Sequence, residues 1–137
     1  MNPKIWQRLQ RQLAPGELRL DEATLSAHSG DKWFATGTPE AVALPRSAKS
    51  VSAILRFAHR HQIPVTPRGA GYGYVGGCVP MRGGVVLSTA RMRRIREINE
   101  CDFVAVIQPG VITADLQNKA EAKGLYYPPD PASRADC

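Results

Sequence analysis

The chain reads as an α+β domain: a βαβ unit followed by mostly antiparallel strands and a helix. Two patterns lead there. Between Ala41 and Arg68 a short apolar strand, an amphipathic helix and a second short strand follow one another closely. Such a crossover requires two parallel strands with a helix laid over them. Between Val85 and Gln108, three further runs of apolar and β-branched residues are punctuated by turn residues, as consecutive strands are. The composition agrees with a folded domain. Its 43% hydrophobic and 22% charged residues argue against disorder. Its 137 residues are enough for one domain with a real core.

Each element has its own local warrant. Ile5, Leu9 and Leu13 recur at four-residue steps with Trp6 beside them, which predicts a short amphipathic helix over Lys4 to Leu13. Pro15-Gly16 stops it. Gly16 to Pro39 reads as an irregular connector with a short helix around Asp21 to Ala27, anchored to the domain by Trp33 and Phe34. Ala41 to Leu44 is a strand, and Ser47 is the N-cap of the helix that follows. Val51, Ile54, Leu55 and Ala58 mark that helix's buried face. His59 and His61 lie two apart, not at the i, i+4 spacing of a helical metal pair, and read as surface residues near the helix's negative end. Pro64 to Arg68 is the second strand of the crossover.

The expected strands after the crossover are Val85 to Leu87, Ile95 to Ile98 and Phe103 to Gln108, with Asn99 to Asp102 as the last turn. Apolar residues on both phases of the last strand predict cover on both of its faces. Thr113 is the expected N-cap of a final helix, with Asp115 in its first turn, Leu116 and Ala120 facing inward and Gly124 as its C′ residue. The remaining tail is proline-rich and extended.

Function is most legible at the end of the second crossover strand. Pro67-Arg68-Gly69-Ala70-Gly71-Tyr72-Gly73-Tyr74-Val75-Gly76-Gly77 holds five glycines and one arginine. Glycine leaves room for backbone N–H groups to approach a ligand, and several such groups together form a nest for phosphate. Arg68 adds a permanently charged planar donor. Gly71 to Gly76 formally fits G-x-G-x-x-G, yet Pro80 and Gly83-Gly84 follow where a dinucleotide loop must open a helix. No Gly-Lys-Ser/Thr follows, which excludes a Walker loop. What remains is a phosphate loop between two strands, with a plain glycine-rich turn as the bland alternative.

Four segments, in this order and spacing, carry a family resemblance. They are Thr38 to Pro45 with Ser47; Pro67 to Gly71; Gly83 to Met92; and Gln108 to Val111 with Asp115 to Gln117, Gly124-Leu125 and Pro129 to Ser133. From Thr38 onward the chain resembles the FAD-binding domain of the vanillyl-alcohol oxidase (PCMH-type) flavoproteins, and within them the glycolate oxidase FAD subunit and D-lactate dehydrogenases. The resemblance implies an α+β FAD-binding PCMH-type domain, present only in part. Residues 1–37 are then an N-terminal helix and connector, and 38–137 the N-terminal part of that domain, truncated at its C-terminal end. It implies FAD as the cofactor, with Arg68, Gly69, Ala70, Gly71, Tyr72 and Gly73 at the pyrophosphate. Gly76 and Gly77 let the chain turn beneath it, and Pro129, Asp130, Pro131, Ala132 and Ser133 run along the flavin side. The parent protein would oxidise a 2-hydroxy acid such as glycolate or D-lactate to the 2-oxo acid, with reoxidation by an electron-transfer partner subunit, quinone or oxygen. No catalytic residue is assigned within these residues.

Two departures stand out. Relatives carry Thr-Ser or Thr-Gly where this chain has Tyr72-Gly73, so a hydroxyl donor is lost or Tyr72 supplies it from further away. Some relatives attach the flavin to a histidine in this loop, and here the loop has none.

The net charge is +6, part of it in Arg91, Arg93, Arg94 and Arg96. A basic run without interleaved aromatics reads as a solvated face, so no nucleic-acid partner is expected. Cys78, Cys101 and Cys137 give neither a disulfide framework nor a metal spacing, and a reducing cytoplasm is the simplest setting. The N-terminus lacks an apolar signal core, and no run is long enough to span a bilayer. The alternatives are another oxidase or reductase of the same fold, acting on an alcohol, sugar or enolpyruvyl substrate, or a non-enzymatic module binding an anion or nucleic acid through the loop and the arginine run.

Overall fold

A computed structural model describes residues 3–137. The chain runs α1 (Pro3–Gln10), β1 (Leu18–Arg19), α2 (Glu22–Ala27), β2 (Ala41–Ala43), α3 (Ala48–Arg60), β3 (Val65–Arg68), β4 (Val85–Ser88), β5 (Ile95–Asn99), β6 (Val104–Ile107) and α4 (Thr113–Glu121). It is α+β, with one mixed four-stranded sheet of order β1-β2-β4-β3 and a separate antiparallel ribbon, β5-β6.

The crossover is present, but its two strands are not neighbours. β4 lies between β2 and β3 and is parallel to both, with Val85 in register with Ala41 on one side and Val65 on the other. This corrects the expectation that Val85 to Leu87 begins an antiparallel series. All four β4 residues are buried, and a short apolar run without alternation is what a parallel strand covered on both faces requires. Leu18–Arg19, expected to be irregular, forms a short strand antiparallel to β2.

Alternation assigns the two sheet faces. Ala41, Ala43, Val85 and Leu87 join Ile54, Phe57 and Ala58 of α3 and Trp6 and Leu9 of α1 in one core. Burying side chains such as Ile54 and Phe57 contributes roughly 1.5–3 kcal/mol each. Val42 and Val86 are buried from the other side. α3 starts as expected, with the Ser47 hydroxyl accepting the Ser50 N–H at 3.1 Å. Its inward face differs by one position: Leu55 is exposed and Phe57 is buried, completing the stripe with Ile54 and Ala58. His59 is exposed and His61 lies against the Phe57 ring.

Glu17 is a feature that sequence patterning missed. Its carboxylate is buried among three donors: the Arg46 N–H at 2.8 Å, the Ser50 hydroxyl at 3.0 Å and the Ala14 N–H at 3.2 Å. It ties the turn after α1 to the start of α3, where the helix's positive end favours a negative charge.

The ribbon turn forms as predicted, with Asn99 Oδ1 accepting the N–H groups of Cys101 and Asp102, each at 3.0 Å. The expected cover on both faces of β6 is not present among the described residues. Phe103 is 78% exposed, and all four β6 residues are exposed.

α4 corrects the cap assignment. Ile112 occupies the cap position without a side-chain bond, and Thr113 is the first helical residue. The tail does the capping instead: the carbonyl of Cys137 accepts the Thr113 N–H at 2.8 Å and that of Arg134 accepts the Ala114 N–H at 2.9 Å. Leu116 and Ala120 are buried, and Gly124 takes a positive φ two residues beyond the C-cap, Ala122. After an extended stretch the tail closes in a turn over residues 132–136.

Among the described residues no helix is long and apolar enough to cross a membrane, and no group of three or more His, Cys, Asp or Glu is placed to hold a metal.

Candidate functional site

β3 and β4 end side by side, and the chain leaves both ends in loops. The Thr89 N–H donates to the Arg68 carbonyl at 3.0 Å, so the glycine loop starts level with Thr89-Ala90. A crevice outside the carboxyl ends of parallel strands is where ligands bind in such sheets. Here it is a cavity of about 450 Å³. Arg68, Gly69, Ala70 and Tyr72 form one wall and the loop after β6, Pro109 to Ile112, another. That second wall packs hard against the end of β4: a methyl group added to Gly110 would lie 2.1 Å from the Thr89 carbonyl oxygen. Arg93 brings positive charge to the cavity and Asp136 and Cys137 of the tail close it. A second cavity of about 490 Å³ flanks the loop on the side of α2, lined by Ser26, Ser29, Lys32, Gly71 and Tyr72 among others.

The glycine loop is fixed by a neighbour that sequence reading treated as a connector. Residues 29–37 fold back on themselves, with a bridge between Gly30 and Thr36 and the Gly37 N–H on the Ser29 carbonyl at 2.8 Å. Three bonds join this excursion to the loop. Arg68 Nη1 donates to the Gly30 carbonyl at 2.6 Å. The Gly76 N–H donates to Asp31 Oδ2 at 2.9 Å. The Lys32 N–H donates to the Gly73 carbonyl at 3.2 Å. Asp31 Oδ1 also accepts the Trp33 N–H at 2.8 Å. That bond is the main reason the Asp31 carboxyl is held below the usual carboxylate range; desolvation opposes it and the Gly76 N–H adds to it.

The donor inventory of the loop is lopsided. Among the described residues, the backbone N–H groups of Gly69, Ala70, Gly71, Tyr72 and Gly73 have no acceptor. At Gly69, Gly73 and Gly77 an added methyl group would meet no atom within 4 Å. Unclaimed donors on an open, side-chain-free surface are what a phosphate requires. The loop therefore fits a pyrophosphate group.

Arg68 has another task in this arrangement. Besides its bond to Gly30 it reaches Cys78 Sγ at 3.5 Å, and its guanidinium lies directly under Gly71, where a Cβ would sit 2.2 Å from Nη2. Gly71 has φ +84°, the left-handed region that favours glycine. Tyr72 faces two ways. The Asp136 carboxylate is the main cause of its raised pKa, and its ring lies 4.4 Å from Lys32 Nζ. Gly76 spends its N–H on Asp31, and Gly77 continues the turn.

The Pro129 to Ser133 segment is held within the tail and by α4. The Pro129 carbonyl accepts from Gln117 Nε2 at 2.8 Å, Asp130 pairs with Arg134 at 3.3 Å, and Ser133 meets Cys137 Sγ at 2.8 Å. The tail reaches the cavity through Asp136 and Cys137, not through Pro129 to Ser133. Trp33 and Phe34 do not anchor the connector. They are 62% and 80% exposed and meet at a tilt, ring centres 4.7 Å apart, with Tyr74 edge-on to Trp33. The excursion is held by its polar backbone and Asp31 instead. In the arginine run, Arg91 caps the Gly16 carbonyl at 2.9 Å and Arg93 the Ala90 carbonyl at 2.7 Å.

Comparison with known proteins agrees with this geometry. A family model described as an FAD binding domain matches residues 39–137. The D-2-hydroxyglutarate dehydrogenase of Stutzerimonas stutzeri (strain A1501) is 42% identical over 134 residues, covering 96% of this chain and 29% of that protein. The glycolate oxidase subunit GlcD of Bacillus subtilis (strain 168) is 46% identical over 95 residues, covering 69% of this chain and 20% of that protein. Among solved structures, 4-ethylphenol oxidase from Gulosibacter chungangensis superposes with a TM-score of 0.76 at 31% identity over 88% of this chain and 24% of its own. An alkyldihydroxyacetonephosphate synthase superposes with a TM-score of 0.88 over 99% of this chain and 30% of its own; at 22% identity it shares the fold. The chain thus spans less than a third of the length of these relatives. It belongs to the FAD-binding domain family, whose cofactor is FAD.

Proposed function

We propose that this chain is the pyrophosphate-binding part of an FAD-dependent oxidoreductase that converts a 2-hydroxy acid to its 2-oxo acid. One observation carries the substrate class. Relatives at 40–46% identity are named glycolate oxidase subunit, D-lactate dehydrogenase and D-2-hydroxyglutarate dehydrogenase, and all three names describe a 2-hydroxy acid losing two electrons. The chemistry supplied by a bound flavin is acceptance of those two electrons.

The chain's own residues bind and orient. Gly69, Ala70, Gly71, Tyr72 and Gly73 present unclaimed N–H groups to the pyrophosphate, while Gly76 and Gly77 turn the chain beneath it. Residues 38–137 form the cofactor-binding part and 1–37 a helix and connector that brace it. Pro129 to Ser133 run along the flavin side. Substrate-gripping residues and electron-transfer partner subunits belong to the remainder of such a protein. A cytoplasmic setting is supported by three free cysteines.

The test is spectroscopic. The purified full-length protein should carry flavin absorbance, and anaerobic glycolate, D-lactate or D-2-hydroxyglutarate should bleach it. A protein without flavin would refute the cofactor assignment. Flavin bleached only by an alcohol or sugar would refute the substrate class.

A further inference from the structure

A cation beside the backbone N–H groups of the glycine loop would strengthen its hold on a pyrophosphate through charge-assisted hydrogen bonds. Arg68 is the obvious candidate from sequence, but its guanidinium is tucked beneath Gly71 and bonded to the Gly30 carbonyl. Arg93 lines the cavity at the strand ends; on the α2 side of the loop the further cation is Lys32, an exposed lysine held at several points. Its backbone N–H is bonded to the Gly73 carbonyl within the loop itself. Its neighbour Asp31 clamps Gly76. Its ammonium stands 4.4 Å from the centre of the Tyr72 ring, a cation–π distance. Lys32 and Tyr72 both line the cavity beside the loop, together with Gly71.

We propose that Lys32, racked on the Tyr72 ring, is the cation this loop presents to the cofactor's pyrophosphate, and that Arg68 is a positioning residue that supports the loop from below. The inference rests on the FAD reading above. It also gives the Tyr72 substitution a physical role. A threonine or serine hydroxyl donates one hydrogen bond to phosphate, whereas an aromatic ring holds an ammonium group beside it. Lysine acts as a mobile point charge, so a ring that limits its wandering lowers the ordering cost of binding.

The experiment measures affinity of the flavin-stripped full-length protein for FAD, ADP and riboflavin, with K32Q, Y72F and Y72L. K32Q should weaken FAD and ADP about tenfold, the loss expected for one charge-assisted hydrogen bond. It should leave riboflavin, which has no phosphate, unaffected, and should flatten the salt dependence of FAD binding. Y72F keeps the ring and should bind FAD more tightly than Y72L. FAD binding by K32Q equal to that of the unmodified protein would overturn the inference alone. Equal affinities of Y72F and Y72L would overturn the role of the ring. Failure of the unmodified protein to bind FAD would overturn the functional reading, and this inference with it.

Discussion

Gly71→Ala tests whether the loop is built as described. The residue has φ +84°, where a side chain costs about 1–2 kcal/mol through its clash with the neighbouring carbonyl. The new methyl group would also stand 2.2 Å from Arg68 Nη2 and 2.6 Å from Cζ, so the guanidinium must move. Moving it breaks the 2.6 Å bond to Gly30, a charge-assisted bond whose loss costs about 1.5–3 kcal/mol. The two effects together come to roughly 2.5–5 kcal/mol. Gly69→Ala and Gly73→Ala are the controls, because neither has a positive φ nor any atom within 4 Å of the added carbon. Their stability should stay within about 0.5 kcal/mol of the parent. Urea titrations of the three variants, alongside FAD affinity, separate the effects. Gly71→Ala should lose both stability and FAD. The controls should lose only FAD affinity, because their methyl groups project where the phosphate would lie. A Gly71→Ala protein as stable as Gly69→Ala would refute the placement of Arg68 under the loop.

Two further outcomes follow from buried or clamped carboxylates. Glu17→Ala leaves three donors without an acceptor, so the urea midpoint should fall by the equivalent of roughly 2–4 kcal/mol, and Glu17→Gln by less, because it keeps one acceptor oxygen. An unchanged midpoint for Glu17→Ala would remove it as the tie between the α1 turn and α3. Asp31 has a folded pKa depressed below its unfolded value, so its stabilising contribution is present above the ordinary carboxylate range and lost as pH falls through the folded pKa. Amide exchange at Gly76 should therefore show an acid-side loss of protection that Asp31→Asn lacks; identical pH profiles would dismiss the clamp.

Legibility tracked the sequence distance over which a contact is made. The Ser47 cap and the Asn99 turn are satisfied by neighbours a few residues away, and local chemistry announces them; the glycine loop is announced by its composition alone. The excursion over residues 29–37 is invisible to such reading because its partners lie 38 and 45 positions on, at Arg68 and Gly76. Glu17 is illegible for the same reason: its donors Arg46 and Ser50 lie 29 and 33 residues away. Thr113 is a good capping residue by type, yet the tail's carbonyls arrive first, and no local signal predicts that. β4 is different, because the unalternated Val85-Val86-Leu87 run already carried the sign of a strand buried on both faces. Trp33 and Phe34 show the opposite case: apolar character predicts burial, yet both are exposed.

The division of hydrogen bonds along the loop explains why the excursion matters to function as well as to stability. A flexible glycine stretch has the donors for phosphate in any conformation, but ordering them on binding costs about 1–2 kcal/mol per residue. In this chain the ordering is done beforehand, because the Gly73 carbonyl and the Gly76 N–H are held by Lys32 and Asp31, while the N–H groups from Gly69 to Gly73 are left over. The bonds that fix the loop thus use groups a phosphate does not need. Residues outside the glycine motif, Asp31 above all, should then govern cofactor affinity without touching the cofactor, through the entropy of the loop they hold.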